Sequence, residues 1–274
     1  MKLSVSAWCL QRKLFSNQMT IFDFIEMCNN NGVKYVELLD CFLKDEVEIN
    51  KINSLLKKYG MEVAAYSVGN DFVSKSEEER LKQIEDVKKG IDTACRFNTK
   101  LLRVFSGNKK DGISFDEAEK WIVDSFKEVA KYAEEKGVTM VLENHGLFAG
   151  KASQVKGLID KVGSKYLKAN ADVGNFFMVN ENPLESVKTL KDYIGFVHFK
   201  DFKEVSENEE GYVSDNGTKY QGIVLGKGEV PMGKVVDLLF QNEYDGFLSI
   251  EYEGIGDPVS ETIECIEFTK SIIK

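Results

Sequence analysis

The sequence predicts an α/β fold, a single (β/α)8 TIM barrel that spans residues 1–274. Eight short apolar strand patterns alternate strictly with eight helix patterns, and such alternation is typical of a parallel sheet. An open doubly wound sheet shares the alternation, but the count of eight favours the barrel, as does a length close to the roughly 250 residues typical of that fold. No Gly-x-Gly-x-x-Gly turn follows the first strand pattern, which argues against a dinucleotide-binding open sheet.

The predicted strands are short runs of apolar and β-branched residues, as expected for buried parallel strands. In chain order they are Leu3–Trp8, Tyr35–Leu39, Glu62–Ser67, Leu101–Phe105, Thr139–Glu143, Leu167–Asp172, Phe196–His198 and Phe247–Glu251.

The predicted helices show apolar residues at helical spacing, and several have recognisable ends. Two of them open with a serine followed by a glutamate three residues later, the spacing of a capping box, and others stop at glycine. In chain order the helices are Thr20–Asn30, Glu46–Tyr59, Ser76–Phe97, Ser114–Lys136, Ser153–Val162, Pro183–Leu190, Met232–Gln241 and Pro258–Ile273.

One connection is much longer than the others. About thirty residues, about 201–230, separate the seventh strand from the next helix. Loops of this length in a compact domain are usually functional, and on a barrel this one follows the active-site end of a strand. We expect it to act as a lid or as a contact between subunits, with an insertion of no function as the alternative.

Composition excludes several classes of protein. Lys plus Arg number 36 and Asp plus Glu number 45, which gives a net charge of −9; such a chain without a basic run is a poor candidate for binding nucleic acid or an anionic membrane. The five cysteines include no Cys-x-x-Cys pair, and no secretory or membrane-spanning pattern is evident. We therefore expect a reduced, cytoplasmic protein with buried thiols.

The last four predicted strands each end in a side chain that binds metals. These residues are Glu143, Asp172, His198 and Glu251. Because strand C-termini of a barrel meet at one rim, the three carboxylates and one imidazole are predicted to converge on one divalent cation. The mixed oxygen and nitrogen set favours Mn²⁺, with Mg²⁺, Co²⁺ and Zn²⁺ as alternatives.

Four segments carry a resemblance to a known family. They are Leu142-Glu-Asn-His-Gly146, Asp172-Val-Gly-Asn175, Val197-His-Phe-Lys-Asp201 and Ile250-Glu-Tyr-Glu-Gly254. The chain resembles the xylose isomerase-like TIM barrel superfamily, and within it the sugar phosphate isomerase/epimerase proteins. A turn at Leu225–Val230 and the later Tyr244-Asp-Gly-Phe247 fit the same branch.

The resemblance implies that Glu143, Asp172, His198 and Glu251 bind one divalent metal, and that Glu143 and Glu251 are also the catalytic acid and base. The implied enzyme is an isomerase or epimerase that acts on a keto-sugar, a sugar phosphate or a related polyol ketone through an enediolate. The alternatives are a lyase of the inosose or 3-dehydroshikimate dehydratase type and a non-catalytic barrel that binds sugar. Dimers and tetramers are common in that family, so a homodimer or homotetramer is expected.

Two positions depart from the pattern of ketohexose 3-epimerases in this superfamily. Asn175 stands where those enzymes carry a histidine, and Glu204 stands where they carry an arginine. Both differences weaken the specific 3-epimerase prediction. They indicate that one end of the substrate differs from that of a ketohexose. Two histidines and an acidic surface likewise argue against the three-zinc DNA-repair branch of the superfamily.

Six residues are candidates for substrate binding: His145, Asn175, Lys200, Arg103, Glu37 and Trp8. Lys200 follows His198 by two and shares its side of the strand, where a salt bridge to Glu251 or Asp172 is the alternative role. Arg103 lies mid-strand and needs a buried carboxylate or a substrate anion. Glu37 is expected either to bind substrate hydroxyls or to orient a neighbouring side chain.

Overall fold

A closed barrel of eight parallel strands forms the centre of the protein, as predicted. The computed structural model describes residues 1–273. Strands pair in the order β1-β11-β7-β6-β5-β4-β3-β2, and β1 closes the ring by pairing with β2. The strands are β1 Lys2–Ser6, β2 Tyr35–Leu39, β3 Glu62–Ser67, β4 Leu101–Val104, β5 Thr139–Glu143, β6 Leu167–Asp172, β7 Ile194–Phe199, β8 Asp201–Val205, β9 Tyr212–Val213, β10 Lys219–Ile223 and β11 Phe247–Ile250.

Helices surround the barrel, and every predicted helix is present to within about one residue at each end. They are α1 Gln11–Phe15, α2 Ile21–Asn30, α3 Glu46–Tyr59, α4 Glu77–Arg96, α5 Phe115–Lys136, α6 Ala152–Val162, α7 Pro183–Leu190, α8 Met232–Gln241 and α9 Pro258–Ile272. The short α1 was not predicted, because five residues are too few to show an apolar repeat at helical spacing.

Helix capping differs from the sequence prediction in one detail. The Ser76 and Ser114 side chains do accept hydrogen bonds from the backbone N–H three residues later, at 3.3 and 3.2 Å. The Glu79 carboxylate, however, accepts from the Ser74 hydroxyl at 2.5 Å, and the Ser76 N–H donates to that same hydroxyl. In the predicted capping box the Ser76 N–H would donate directly to the Glu79 carboxylate. Instead, the Ser74 hydroxyl lies between these two groups and bonds to both.

The long connection after β7, expected as a loop over about 201–230, contains a small antiparallel sheet that the sequence did not indicate. Strands β8, β10 and β9 lie side by side in that order. A bridge between Gly222 and Gly254 joins this sheet to the segment after β11. Charged side chains at Lys203, Glu204 and Lys219 interrupt the apolar pattern, which is why strand periodicity was not evident in the sequence.

The Asp201 carboxylate fixes the base of this small sheet. It accepts hydrogen bonds from the backbone N–H groups of Phe202, Gly226, Gly228 and Val230, all at 2.9–3.0 Å. A side chain at Gly228 would collide with this carboxylate. The Gly226-Lys-Gly228 turn is thus shaped to bring several amides to one buried acceptor.

The interior of the barrel changes character along its axis. A small apolar cluster that includes Ala65, Val141 and Phe196 fills the lower part. The Phe196 ring contacts the His198 ring edge-on, with centroids 5.6 Å apart. Above this contact the interior becomes polar, and the register places Asp172 and Ser249 directly beside His198 on the neighbouring strands.

The thiols are only partly buried, contrary to the sequence expectation. All five cysteines are free; Cys9, Cys28 and Cys265 are buried, whereas Cys41 and Cys95 are exposed. Within residues 1–273, no helix has the combined length and apolar character needed to cross a membrane.

Replacing Asp201 with Ala should lower the free energy of unfolding by about 3 kcal/mol, because several buried amides lose a charged acceptor at once. Urea denaturation followed by circular dichroism measures this change. Glu207→Ala, an exposed acidic position in the same segment, is the matched control and should change stability by less than about 0.5 kcal/mol. Equal stability of the two variants would contradict the anchoring role.

Candidate metal and catalytic site

Four side chains from consecutive barrel strands meet at the C-terminal mouth. Glu143 and Asp172 are the last residues of β5 and β6, His198 lies one residue before the end of β7, and Glu251 directly follows β11. One donor atom from each lies within 4.8 Å of the others, and all four residues are buried. The tertiary structure therefore brings together the full set of predicted metal ligands.

One buried donor atom in this cluster, His198 Nδ1, has no hydrogen-bond partner. Asp172 Oδ2 forms no well-aligned hydrogen bond either, and its partner is the Lys200 ammonium 3.0 Å away. His198 Nδ1 lies 3.3 Å from Glu143 Oε2 and 3.5 Å from Glu251 Oε2. Buried polar atoms are rarely left unpaired in folded proteins, so a cation held among these donors fits the site, and the hard, oxygen-rich set suits a divalent metal.

Glu37 supports His198 from below and does not reach the cavity. It lies in the middle of β2 rather than at its end, and its carboxylate oxygens lie 3.0 Å from His198 Nε2. The hydroxyls of Ser67 and Ser249 donate to the same carboxylate at 2.5 and 2.8 Å. Glu37 was predicted either to bind substrate hydroxyls or to orient a neighbouring side chain. The geometry fits the second role, since Glu37 does not line the cavity that a substrate would contact.

Three asparagines hold the ligand carboxylates in place. The Asn175 and Asn170 side chains donate to Glu143 at 3.2 and 3.3 Å. The Asn144 side-chain oxygen accepts from the Asp172 backbone N–H at 2.8 Å, and the Asn144 side-chain amide donates to the Asp172 backbone carbonyl at 3.0 Å. Asn144 and Asn170 were missed in the sequence, although Asn170 precedes Asp172 by two and so shares its side of the strand.

Lys200 and Glu253 form a second charged layer above the ligands. Lys200 Nζ lies 2.7 Å from Glu251 Oε2, 3.0 Å from Asp172 Oδ2 and 3.4 Å from Glu253 Oε2. Glu253 in turn accepts a 2.5 Å hydrogen bond from the Trp8 indole. The salt bridges considered for Lys200 are thus present, and Glu253 is a site residue that the sequence argument overlooked, two residues after Glu251 on the same side.

Arg103 and His145 occupy the opposite wall. Arg103 Nε lies 3.4 Å from Glu143 Oε2, Nη1 donates to the Val68 carbonyl at 3.1 Å, and the guanidinium stacks over Phe105 at 3.9 Å. This is the structural ion pair that a buried arginine requires. The exposed His145 packs its ring against Phe105, with centroids 4.3 Å apart, and lines the cavity.

The electrostatic environment separates the two glutamates. Burial raises the pKa of Glu251 to about 7, although Lys200 and His198 act to lower it. Burial also acts to raise the pKa of Glu143, but His198 and Arg103 hold it below its ordinary value. For His198, burial acts to lower the pKa, and the carboxylates of Glu37, Glu251 and Glu143 raise it well above the usual range. Two carboxyl groups with such different affinities for a proton suit acid–base chemistry.

A cavity of about 390 Å³ opens above this cluster. Six of the candidate residues line it, namely Glu143, Glu251, Lys200, Arg103, His145 and Trp8. Trp8, Phe15 and Phe105 supply an apolar wall. The volume lies within the range of small-molecule sites, and the mixture of charged floor and aromatic wall suits a polyhydroxylated ligand.

Replacing Glu37 with Gln should weaken divalent-metal binding by about 10–100-fold, because a carboxylate that accepts from one imidazole nitrogen orients the other nitrogen toward the metal. Titration of Mn²⁺ followed by electron paramagnetic resonance gives the Kd. Glu62→Gln, at the exposed first residue of β3, is the control. An unchanged Kd in folded Glu37→Gln protein would show that Glu37 has no orienting role.

Comparisons with known proteins agree with this architecture. Inosose dehydratase from Clostridium perfringens is 24% identical over 165 residues, which cover 57% of this chain and 55% of the dehydratase. The chain therefore spans about half the length of that relative.

Three solved structures share the fold. The probable 3-DHS dehydratase AsbF of Bacillus anthracis matches with a TM-score of 0.80 and 19% identity, over 98% of this chain and 99% of that one. D-psicose 3-epimerase with D-tagatose, from Clostridium cellulolyticum H10, matches with a TM-score of 0.79 and 15% identity over 100% of both chains. The IOLI protein, with a bound zinc atom, matches with a TM-score of 0.79 and 18% identity over 99% and 96%.

The family assignment rests on a sequence model rather than on these distant structures. A model of the xylose isomerase-like TIM barrel family matches residues 22–272, which includes every candidate ligand and all but the first barrel strand. The protein belongs to the xylose isomerase-like TIM barrel family.

Proposed function

We propose that the protein is a divalent-metal-dependent isomerase or epimerase that acts on a keto-sugar or related polyol ketone. One observation carries the proposal: three carboxylates and an imidazole converge on a buried point, where His198 Nδ1 has no hydrogen-bond partner. The cluster lies on the floor of a cavity of suitable size for a sugar. A bound cation would polarise a carbonyl and stabilise negative charge on its oxygen.

Glu143 and Glu251 are the proposed acid–base pair. Glu143 ends β5 and Glu251 follows β11. These strands are separated in the barrel by β6 and β7, so the two glutamates approach the cavity from different sides. One carboxylate removes the proton from the carbon next to the carbonyl, and the other returns a proton to the opposite face, which inverts that carbon. Return of the proton to the neighbouring carbon gives aldose–ketose isomerisation instead.

The remaining site residues are proposed to bind and orient the substrate. Lys200, between Asp172 and Glu251, can donate to a substrate oxygen, and His145 and Trp8 line the cavity on opposite walls. Asn175 holds Glu143 in place through its amide. Both cavity cations are already paired with carboxylates: Lys200 with three of them and Arg103 with Glu143. An unphosphorylated substrate is therefore favoured over a sugar phosphate.

Mn²⁺ is the proposed metal, because three carboxylates and one imidazole form a predominantly hard ligand set. The zinc atom of the IOLI protein makes Zn²⁺ the main competitor. Elemental analysis of purified protein should find about one divalent metal ion per chain, and Glu251→Gln and His198→Ala should lose most of it. Absence of metal after incubation of folded wild-type protein with Mn²⁺ would overturn the proposal.

Replacing Glu143 with Gln should reduce exchange of the substrate α-proton with heavy water by at least about 100-fold, since removal of a catalytic acid or base typically costs 10²–10⁴ in rate. Proton NMR of a panel of keto-sugars measures the exchange. Glu207→Gln, in the exposed turn between β8 and β9, should exchange at the wild-type rate. Equal rates in the two variants would remove Glu143 from the mechanism.

A metal-dependent lyase is the second candidate. The sequence match to an inosose dehydratase favours it, and the same residues can serve it. After a carboxylate removes the α-proton, expulsion of a β-hydroxyl requires a proton donor, and Lys200 lies 2.7 Å from Glu251 in the cavity. Growth of the ultraviolet absorption of an enone during incubation with inososes would identify a dehydratase, whereas exchange without absorption would identify an isomerase or epimerase.

A further inference from the structure

A second hollow opens beside the metal cavity. It has a volume of about 330 Å³. We call it the side lobe and define it by five residues that line it and do not line the metal cavity: Leu147, Met178, Phe202, Tyr212 and Val213. Since the metal cavity alone has the volume of a small-molecule site, the side lobe is additional space.

The two hollows are adjacent and share four lining residues. Trp8, His145, Lys200 and Glu253 line both of them. Lys200 Nζ lies 2.7 Å from Glu251 on one side and 3.4 Å from Asn175 Oδ1, which lines the side lobe, on the other. Because the same four residues border both hollows, a ligand with its polar part at the metal cluster lies next to the side lobe.

The walls of the side lobe are apolar, and several of their side chains are exposed to solvent. Leu147, Tyr212 and Val213 are 40%, 47% and 58% exposed. Large exposed apolar side chains that gather around one hollow generally mark a binding site. Here they gather beside the metal cluster, whereas a sugar alone would be bound by hydrogen-bonding groups.

The side lobe is held in shape by contacts among the elements that form it. The Phe202 ring packs edge-on against Tyr212 at 5.9 Å, and Phe177 stacks on Tyr220 at 5.1 Å. The Asp215 N–H donates to the Met178 carbonyl at 2.8 Å, which ties the small sheet to the turn after β6. The hollow is thus built by packing and does not depend on closure of a loop.

We propose that the natural substrate carries an apolar substituent, an aryl or alkyl group joined to the carbohydrate, and that the side lobe binds this substituent. The inference rests on the proposed function for the position of the carbohydrate. The substituent occupies the space between Leu147, Tyr212 and Val213, while the polyol lies over Lys200 and the metal ligands. The substrate class is then a conjugate of a keto-sugar, such as a glycoside that carries a ketone on its sugar ring, rather than a free hexose.

Binding of two glycosides that differ only in the substituent tests this inference. Both compounds lack the ketone and so serve as unreactive analogues of the substrate. Calorimetry with Mn²⁺ present should show phenyl β-D-glucopyranoside binding at least about tenfold more tightly than methyl β-D-glucopyranoside, because the phenyl ring buries additional apolar area. Val213→Ser and Leu147→Ser should reduce this preference to about threefold or less. Val47→Ser is the matched control, since Val47 is 60% exposed on the remote helix α3, and it should keep the wild-type preference.

Equal affinity for the two glycosides, or no binding of either, would overturn the inference. A preference for the phenyl compound that survives in both side-lobe variants would overturn it as well. If those variants instead change the sedimentation of the protein and bind both glycosides equally, the side lobe is a contact with a second copy of the chain. The proposed function is judged separately, by metal content and proton exchange, so its failure is distinguishable from failure here.

Discussion

Burial of several carboxylates around one imidazole is the constraint on which the rest of the site depends. Glu37, Glu143, Asp172 and Glu251 are each at most 5% exposed and surround the fully buried His198. Isolated buried charges are too costly for a folded protein unless they are paired or bind metal. The barrel mouth compensates these charges through the cations Lys200 and Arg103, asparagine amides and serine hydroxyls. The same arrangement leaves His198 Nδ1 without a hydrogen-bond partner.

This compensation is organised in layers along the barrel axis. Phe196 fills the interior below the site, Glu37 and its serine partners lie next, the proposed ligands follow, and Lys200 with Glu253 forms the top. Residues two apart on a strand face the same side, so β7 places Phe196, His198 and Lys200 in three successive layers. Short parallel strands with fixed register thus position both the proposed ligands and the groups that orient them.

The elements outside the barrel determine what a substrate meets beyond the metal. The small sheet of β8, β9 and β10 and the segments after β5 and β6 contribute the side lobe, and Asp201 anchors the small sheet through four backbone amides. A fold of this kind supports many reactions because the loops vary while the barrel is retained. Membership in the family therefore fixes the architecture, and the substrate is a property of these connecting segments.

The sequence by itself determined the barrel, the helix bounds and the residues that form the buried cluster, because strand and helix periodicities and strand-end residue types are local patterns. Only the tertiary structure decided that Glu37 lies beneath His198, that Glu253 pairs with Trp8 and Lys200, and that three strands form after β7. Those contacts join residues far apart in the chain, 161 positions in the case of Glu37 and His198. Their partners depend on barrel closure and register, which no local pattern specifies, and the antiparallel sheet was hidden by the charges on its exposed edge.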